Sequence, residues 1–450
     1  MMRIAIVGGG PGGYEAALVA VELGAEVTLI DRQGMGGACV LTDAVPSKTL
    51  CSTASAVTVM ESATALGLSS SPPRLDVDYA EIVQRILWLV EAQSRDITAK
   101  LRSSGVAIVR GTARFSDART LDVDGRAIQA DAVLVSTGSS PRRLAGAEPD
   151  GARILNARQV YSLTAVPSRL IIVGSGATGA EFAHAFNRLG SEVVLVSSRD
   201  RVLPGEDADA ARVLEDVFVR RGVKILKNAR AKSARATGDG VTVELNDGTD
   251  LEGSHVLMTV GQVPNTAELG LERAGVAVGG GGEILVNGVS RTNVPTIYAA
   301  GDVTGGMMLA STAAMQGRIA MWHALGQAVS PLNHEEIAST VFTDPEIATV
   351  GISEDAARER GLPTAVITLP FATNARAKMV ALEDGFVKVV ASQRGGRVLG
   401  GTVVAPQASD LIYPLSIAVH AKLGVAQLAQ AFSIYPSFGG SIQEAARRLM

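Results

Sequence analysis

The feature that most constrains this chain is an internal repeat. Laid without gaps over residues 169–198, residues 3–32 coincide at Gly8/Gly174, Gly10/Gly176, Gly13/Gly179, Leu23/Leu189, Gly24/Gly190, Glu26/Glu192, Val27/Val193 and Leu29/Leu195, an offset of 166. In each copy a β-branched apolar run (residues 4–7, residues 170–173) meets Gly-x-Gly-x-x-Gly, then an Ala-rich stretch of helical period, then a second apolar run. Strand, glycine turn, helix and strand make the βαβ unit of dinucleotide binding. Its glycines let the backbone approach a pyrophosphate, and the first helical turn offers N–H donors to it. A second repeat supports the reading. Asp124-Gly125 precedes Val133-Leu134 and Gly138, and Asp247-Gly248 precedes Val256-Leu257 and Gly261, with the same 14-residue spacing from Asp to the last Gly. Asp-Gly between apolar runs is a hairpin signal. The second offset is 123, so the first copy has longer connections, and residues 49–102 read as two long helices that fill the excess.

A strand-like run at residues 296–300 leads into Gly301-Asp302 and a helical stretch over 309–325. Near Pro331 the pattern changes: strands at 341–351, 385–390 and 398–404 are followed by helices at 410–422 and from Val425, without a glycine fingerprint. The expected fold is α/β, two Rossmann-like nucleotide-binding domains plus a C-terminal α+β domain.

Lys and Arg total 41 against 45 Asp and Glu, a net charge of -4 without a basic stripe, so nucleic acid is not an expected partner. Two cysteines in 450 residues cannot build a disulfide framework, which points to a reducing compartment, the cytoplasm. The first strand begins by Arg3 and leaves no room for a signal peptide, and the apolar runs stop well short of spanning length, so no membrane span is expected. No Cys and His cluster has metal-ligand spacing, so no metal is expected.

The two copies differ at the end of the second strand, where a residue should meet the adenosine ribose. The first has Asp31, 18 residues after Gly13, a carboxylate suited to ribose hydroxyls. The second has Ser197, then Ser198, Arg199 and Arg201. A carboxylate repels a 2′-phosphate, whereas hydroxyls and guanidinium groups accommodate one, so NADPH is expected there, with NADH and a plain solvated Arg loop as the alternatives.

The segment Gly36-Gly37-Ala38-Cys39-Val40-Leu41-Thr42-Asp43-Ala44-Val45-Pro46-Ser47-Lys48 resembles the redox segment of the FAD-dependent pyridine nucleotide–disulfide oxidoreductases. Ser136-Thr137-Gly138-Ser139, residues 259–265, Tyr298-Ala299-Ala300-Gly301-Asp302 and Phe342-Thr343-Asp344-Pro345-Glu346 resemble further segments of that family in the same order. The resemblance covers essentially the whole chain. It implies an FAD domain from residues 1–150 and 266–335, an NAD(P)H domain over 151–265 and a homodimer formed through 336–450. For FAD it implies Gly8, Gly10, Gly13, Asp31, Gly37, Lys48, Thr137, Gly138, Asp302 and Ala310. For NAD(P)H it implies Gly174, Gly176, Gly179, Glu181, Ser197, Ser198, Arg199 and Gly261. The resemblance also implies that Lys48 pairs with Glu181 beside the flavin, where a partly buried Lys would need a carboxylate to stay charged.

The departures from the family decide the function class. Disulfide reductases of this family place two cysteines five positions apart; Cys39 holds the first position and Ala44 replaces the second. Cys51, seven residues further on, lies ~10 Å along a helix and is no substitute. Tyr435 stands where the family carries its C-terminal His, and Gly440 where it carries the following Glu. The five histidines all lie elsewhere. Without a dithiol relay or base, the expected reaction is hydride transfer from NAD(P)H to FAD and direct reduction of a quinone or similar small acceptor. Cys39 and Tyr435 are then doubtful catalytic residues. The pattern resembles the NAD(P)H:quinone reductase branch, to which Tyr435–Ser437 and Glu444–Leu449 are also similar. Two alternatives are a soluble pyridine nucleotide transhydrogenase, which normally keeps the Glu that Gly440 replaces, and a non-catalytic flavoprotein scaffold, for which an intact second nucleotide fold would be superfluous.

Overall fold

The computed structural model describes every residue except 69, 70 and 72–75. The chain divides into two compact units, one of Met1–Ser47, Val83–Arg142 and Gly261–Asn333, the other of Lys48–Ile82, Arg143–Val260 and His334–Met450.

In the first unit five parallel strands lie in the order Ile297–Ala299, Ala132–Val135, Arg3–Val7, Glu26–Asp31, Ala107–Arg110. A parallel sheet is buried on both faces, which is why its central strands are continuous apolar runs. Successive side chains point to opposite faces. Ile4, Ile6 and Leu29 pack with Ala16, Ala17 and Ala20 of the helix Pro11–Glu22 and with Ala320 and Met321 of the helix Ala310–Ala324. Ala5, Val7 and Ile30 face Phe115 and Leu121 of a three-stranded antiparallel meander. The two helices touch through glycine: a Cβ on Gly317 would lie 2.1 Å from the carbonyl oxygen of Gly12. The meander's second hairpin turns at Asp124-Gly125, both at positive φ (50° and 89°), as the Asp-Gly signal requires.

The second unit repeats this pattern. Lys224–Leu226, Glu192–Val196, Arg169–Val173, His255–Met258 and Ile154–Asn156 form a parallel sheet, and Arg169 pairs with Glu192 as Arg3 pairs with Glu26. A meander of Ala231–Thr237, Gly240–Leu245 and Asp250–Gly253 turns between its last strands at Asp247-Gly248. The same unit carries a five-stranded antiparallel sheet in the order Ala338–Val341, Glu346–Gly351, Val398–Ala405, Phe386–Ser392, Thr364–Pro370. Phe371, Val387, Val389 and Val403 pack there with Leu415 and Ile442 from the helices Tyr413–His420 and Gly439–Arg448.

Two elements differ from the sequence expectation. The run 341–351 is two antiparallel strands rather than one, because Pro345 cannot donate to a ladder and Thr343 closes a turn by donating to the Pro345 carbonyl at 2.7 Å. The helix expected over 410–422 is two, Ala408–Leu411 and Tyr413–His420, divided at Ile412 ahead of Pro414, which has no N–H to continue the first. The long helices expected within 49–102 are Ala44–Glu61 and Tyr79–Ser103. Among the described residues, no helix is long and apolar enough to cross a membrane.

Candidate active site

Both glycine turns are built by close backbone approach. A Cβ on Gly8 (φ 108°) would lie 2.2 Å from the Ser136 carbonyl oxygen, and one on Gly13 would lie 1.8 Å from that of Gly8. Gly174 and Gly179 repeat the arrangement, at 2.3 Å from Thr259 O and 1.8 Å from Gly174 O. The middle glycines do something else. Gly10 and Gly176 are the N-caps of the helices Pro11–Glu22 and Ala177–Arg188, in extended backbone, and neither helix start has a side-chain cap. By contrast, the helix Ala208–Arg220 is capped by the Asp207 carboxylate. A Cβ on Gly176 would meet nothing within 4 Å, and one on Gly10 only approaches Gly37 Cα at 3.9 Å. An uncapped helix start reached through open space is what a pyrophosphate needs, so the residues present fit a dinucleotide at each turn.

Around the first turn, Asp31 accepts the Gly9 N–H at 2.7 Å on one oxygen and the Gln33 and Gly34 N–H groups at 2.7 and 2.8 Å on the other. It therefore fixes the turn; Oδ1 is filled by two donors, and Oδ2, with one, keeps a lone-pair site open. Gly37 (φ 57°) abuts Gly10, and Gly36 N donates to Gly9 O at 2.8 Å. Thr137 donates to Asn265 O at 2.8 Å while Asn265 Nδ2 returns a bond to Thr137 O at 3.0 Å, which fixes the turn at Gly138 (φ 69°). Asp302 accepts from Ser139 Oγ at 2.7 Å, and Ala310 opens a helix that has no side-chain cap.

In the second copy, Ser197 is placed differently from the sequence expectation. It is fully buried, and its Oγ accepts from Ser175 Oγ at 2.8 Å and from Arg199 N at 3.2 Å while facing the Arg199 and Arg201 carbonyls at 3.1 and 3.0 Å. Its hydroxyl is committed to folding the turn, which presents Ser198 and Arg199 to solvent. Gly261 (φ 102°) accepts from Arg142 N at 2.9 Å within the first unit.

Lys48 and Glu181 are brought together from positions 133 residues apart: Lys48 Nζ lies 2.7 and 2.9 Å from the two carboxylate oxygens. The carboxylate is buried, whereas the Lys side chain is one-third exposed (34%). Sequence reasoning missed the other supports of this pair. Phe342 N donates to Glu181 Oε1 at 3.0 Å, and the Phe342 ring lies 5.1 Å from Lys48 Nζ, a cation–π contact. Behind the pair, buried His184 meets Ser55 Oγ at 3.3 Å; burial pushes its pKa down to about 4, so it is a neutral imidazole. A backbone donor leaves no signature in sequence, and His184 reads as any helix residue.

The two thiols differ. Cys39 is partly exposed on the short helix Gly37–Leu41, and Cys51 is buried with Sγ 3.7 Å from Glu181 O. Burial, then the Glu181 charge, raise the Cys51 thiol well above its ordinary range, which makes it a packed, unreactive group. At the other end of the chain Tyr435 is exposed, as are Phe432 and Ile434 beside it, and Gly440 lies in the first turn of the last helix with its N–H on Ser437 Oγ at 3.1 Å. Among the described residues no group of His, Cys, Asp and Glu is arranged to hold a metal ion.

Two sheets of the same register, each with an uncapped helix start at a glycine turn, define a fold with two dinucleotide-binding units. The chain belongs to the pyridine nucleotide-disulphide oxidoreductase family, whose model matches residues 2–317, with the family's dimerisation domain matching 337–446. The family implies FAD and NAD(P) as cofactors. The chain is similar to an NAD(P)H dehydrogenase (quinone) of Mycobacterium tuberculosis, 51% identical over 462 residues that span all of this chain and 94% of that one. A dihydrolipoyl dehydrogenase of Geobacillus stearothermophilus is 33% identical over 98% of this chain and 94% of its own. The crystal structure of LpdA from Mycobacterium tuberculosis superposes with a TM-score of 0.96 at 50% identity, covering all of both chains.

Proposed function

We propose that this enzyme is an FAD-dependent NAD(P)H:quinone oxidoreductase that works without a redox-active disulfide. The observation that carries the reading is Ala44 in the position of the second redox cysteine, in a chain whose two nucleotide turns are otherwise complete. The name of the Mycobacterium tuberculosis relative supports it. FAD, when bound by these residues, would supply the redox chemistry between the nicotinamide and a small acceptor.

The chain's own residues bind and orient. Residues 1–150 and 266–335 hold FAD, with the helix start after Gly10 on the pyrophosphate, Asp31 on the ribose, and Gly37, Thr137, Gly138, Asp302 and Ala310 along the rest of the cofactor. Residues 151–265 hold NADPH, with Gly174, Gly176 and Gly179 at the pyrophosphate and Arg199 and Ser198 at the 2′-phosphate, on a turn shaped by Ser197. Lys48, held by Glu181 whose carboxylate also accepts the Phe342 N–H, is the side chain this reading assigns to the flavin. Residues 336–450 form the homodimer. Tyr435 stands in place of an imidazole and Gly440 offers no carboxylate, so this reading gives neither a role toward a thiol.

The test is a steady-state acceptor screen with NADPH and NADH against quinones, lipoamide and an NAD analogue. Quinones should turn over fastest, NADPH should saturate at lower concentration than NADH, and Cys39→Ser should keep quinone reduction within about threefold because no sulfur lies on the path. Strong lipoamide turnover overturns the assignment. Faster reduction of the NAD analogue than of any quinone makes the protein a transhydrogenase instead.

A further inference from the structure

A lysine sits in the middle of the apolar strand Phe386–Ser392, and it is 3% exposed. Burying a charge is tolerated when it is paired and hydrogen-bonded. Lys388 Nζ is held by three close oxygens: Asp207 Oδ1 and Oδ2 at 3.0 and 2.8 Å and Asp209 Oδ2 at 2.7 Å, with Glu354 Oε2 at 3.7 Å beyond. Asp207 is itself buried and is the N-cap of the helix Ala208–Arg220, accepting from Asp209 N at 3.0 Å and Ala210 N at 3.2 Å. One carboxylate thus closes the start of that helix and takes a charge from the C-terminal sheet.

The residues before Asp207 are the loop that presents Ser198 and Arg199. It leaves the strand Glu192–Val196 through the Ser197–Ser175 hydroxyl pair, so its first end is tied to the second glycine turn. Within it Leu203 N donates to Ser175 O at 2.8 Å and Val202 N to Glu215 Oε1 at 2.7 Å. Its second end is Asp207, and hence Lys388.

We propose that Lys388 is a positioning residue for the coenzyme: it anchors the far end of the 198–206 loop so that Arg199 is held where a 2′-phosphate binds. The sheet that carries the dimerisation helices thereby sets recognition of the phosphate without touching it. Removing the ammonium takes the cation from the buried Asp207 carboxylate beside Asp209, while Asp209 keeps Arg212 at 2.8 Å and Glu354 keeps Arg358 at 3.1 Å, so the unbalanced charge falls on Asp207, where the loop ends and the helix starts. The idea rests on the proposed use of NADPH.

The experiment uses the full-length flavin-loaded protein as Lys388→Met, Lys388→Arg and Asp209→Asn, with steady-state kinetics for both coenzymes and calorimetric titration of adenosine 2′,5′-bisphosphate and 5′-AMP. In Lys388→Met the KM for NADPH should rise about tenfold, the scale of one lost charge-assisted phosphate contact, with the NADH KM nearly unchanged. The turnover at saturating NADPH should stay within about twofold of the starting value. Bisphosphate affinity should fall with the NADPH KM while 5′-AMP affinity holds. Asp209→Asn, at a half-exposed position, should shift the same ratio by less, and Lys388→Arg should restore it. Asp209→Asn decides the matter if Lys388→Met does not fold. A folded variant with an unchanged NADPH to NADH ratio overturns the proposal, and so does equal weakening of bisphosphate and 5′-AMP, which would mark a merely structural ion pair. If the unmodified protein binds bisphosphate no better than 5′-AMP, the NADPH reading fails first and takes this proposal with it; if it binds bisphosphate better but the variants do not respond, this proposal alone fails.

Discussion

The Lys48–Glu181 pair shows how unequal burial sets what a residue contributes. Glu181 is 3% exposed and Lys48 a third exposed, so the carboxylate depends on the ammonium more than the reverse. Lys48→Met should lower stability by about 2 kcal/mol in urea titrations, less than the cost of breaking a fully buried pair because water reaches the Lys side of the site. On the proposed assignment of Lys48 to the flavin, it should also slow anaerobic bleaching of the flavin by NAD(P)H at least about tenfold in stopped flow. His184 gives the pH prediction. Burial holds its folded pKa at about 4 against an ordinary 6.5, with Asp344 opposing the shift and Arg221 and Arg188 adding to it. Between those values the unfolded chain binds a proton that the folded chain refuses, so stability falls as pH drops from 6.5 towards 4. His184→Gln should flatten that part of the stability-versus-pH curve measured by urea titration; an unaltered slope would remove His184 from the account.

At the scale of elements, the three glycines of each turn are not equivalent. Gly174 and Gly179 are fixed by backbone carbonyls closer than any Cβ tolerates, whereas Gly176 has open space and an ordinary φ of -71°. Gly174→Ala should therefore yield little folded protein, because backbone would have to move. Gly176→Ala should fold with its flavin in place, yet raise the KM for NADPH by roughly tenfold, because the methyl occupies the approach to the uncapped helix start. Flavin content, thermal melting and KM separate the two outcomes. The fingerprint's spacing made these positions legible in sequence, but their different jobs were not, since a spacing does not say which carbonyl lies opposite.

For the whole molecule, the dimerisation domain carries exposed apolar side chains at Phe432, Ile434, Tyr435, Tyr413 and Ile417, more than a solvated surface needs. Burying them against a second copy explains their exposure in one chain. Ile434→Asp should weaken the homodimer by at least about tenfold in sedimentation equilibrium, as a carboxylate in an apolar interface loses its water without gaining a partner. A dimer of unchanged affinity would place the interface elsewhere on the domain.

The sequence by itself determined the two parallel sheets, because a parallel strand buried on both faces must be written as a continuous apolar run and a glycine turn must be written as glycine. It also places Ala44 and Tyr435 where the family resemblance expects Cys and His, since a residue's identity is the same in any fold. It located the hairpins at Asp124-Gly125 and Asp247-Gly248, where positive φ restricts the choice of residue. Tertiary structure decided what depends on a partner far along the chain. Ser197 looked like a coenzyme ligand and is the buried centre of its own turn. The strand expected over 341–351 broke at a proline turn. Lys388 in Phe386–Ser392 was visible as a charge in an apolar run, but that charge is satisfied by Asp207 and Asp209, about 180 residues away, and long-range pairing of this kind is created by the packing of one element on another rather than by local spacing.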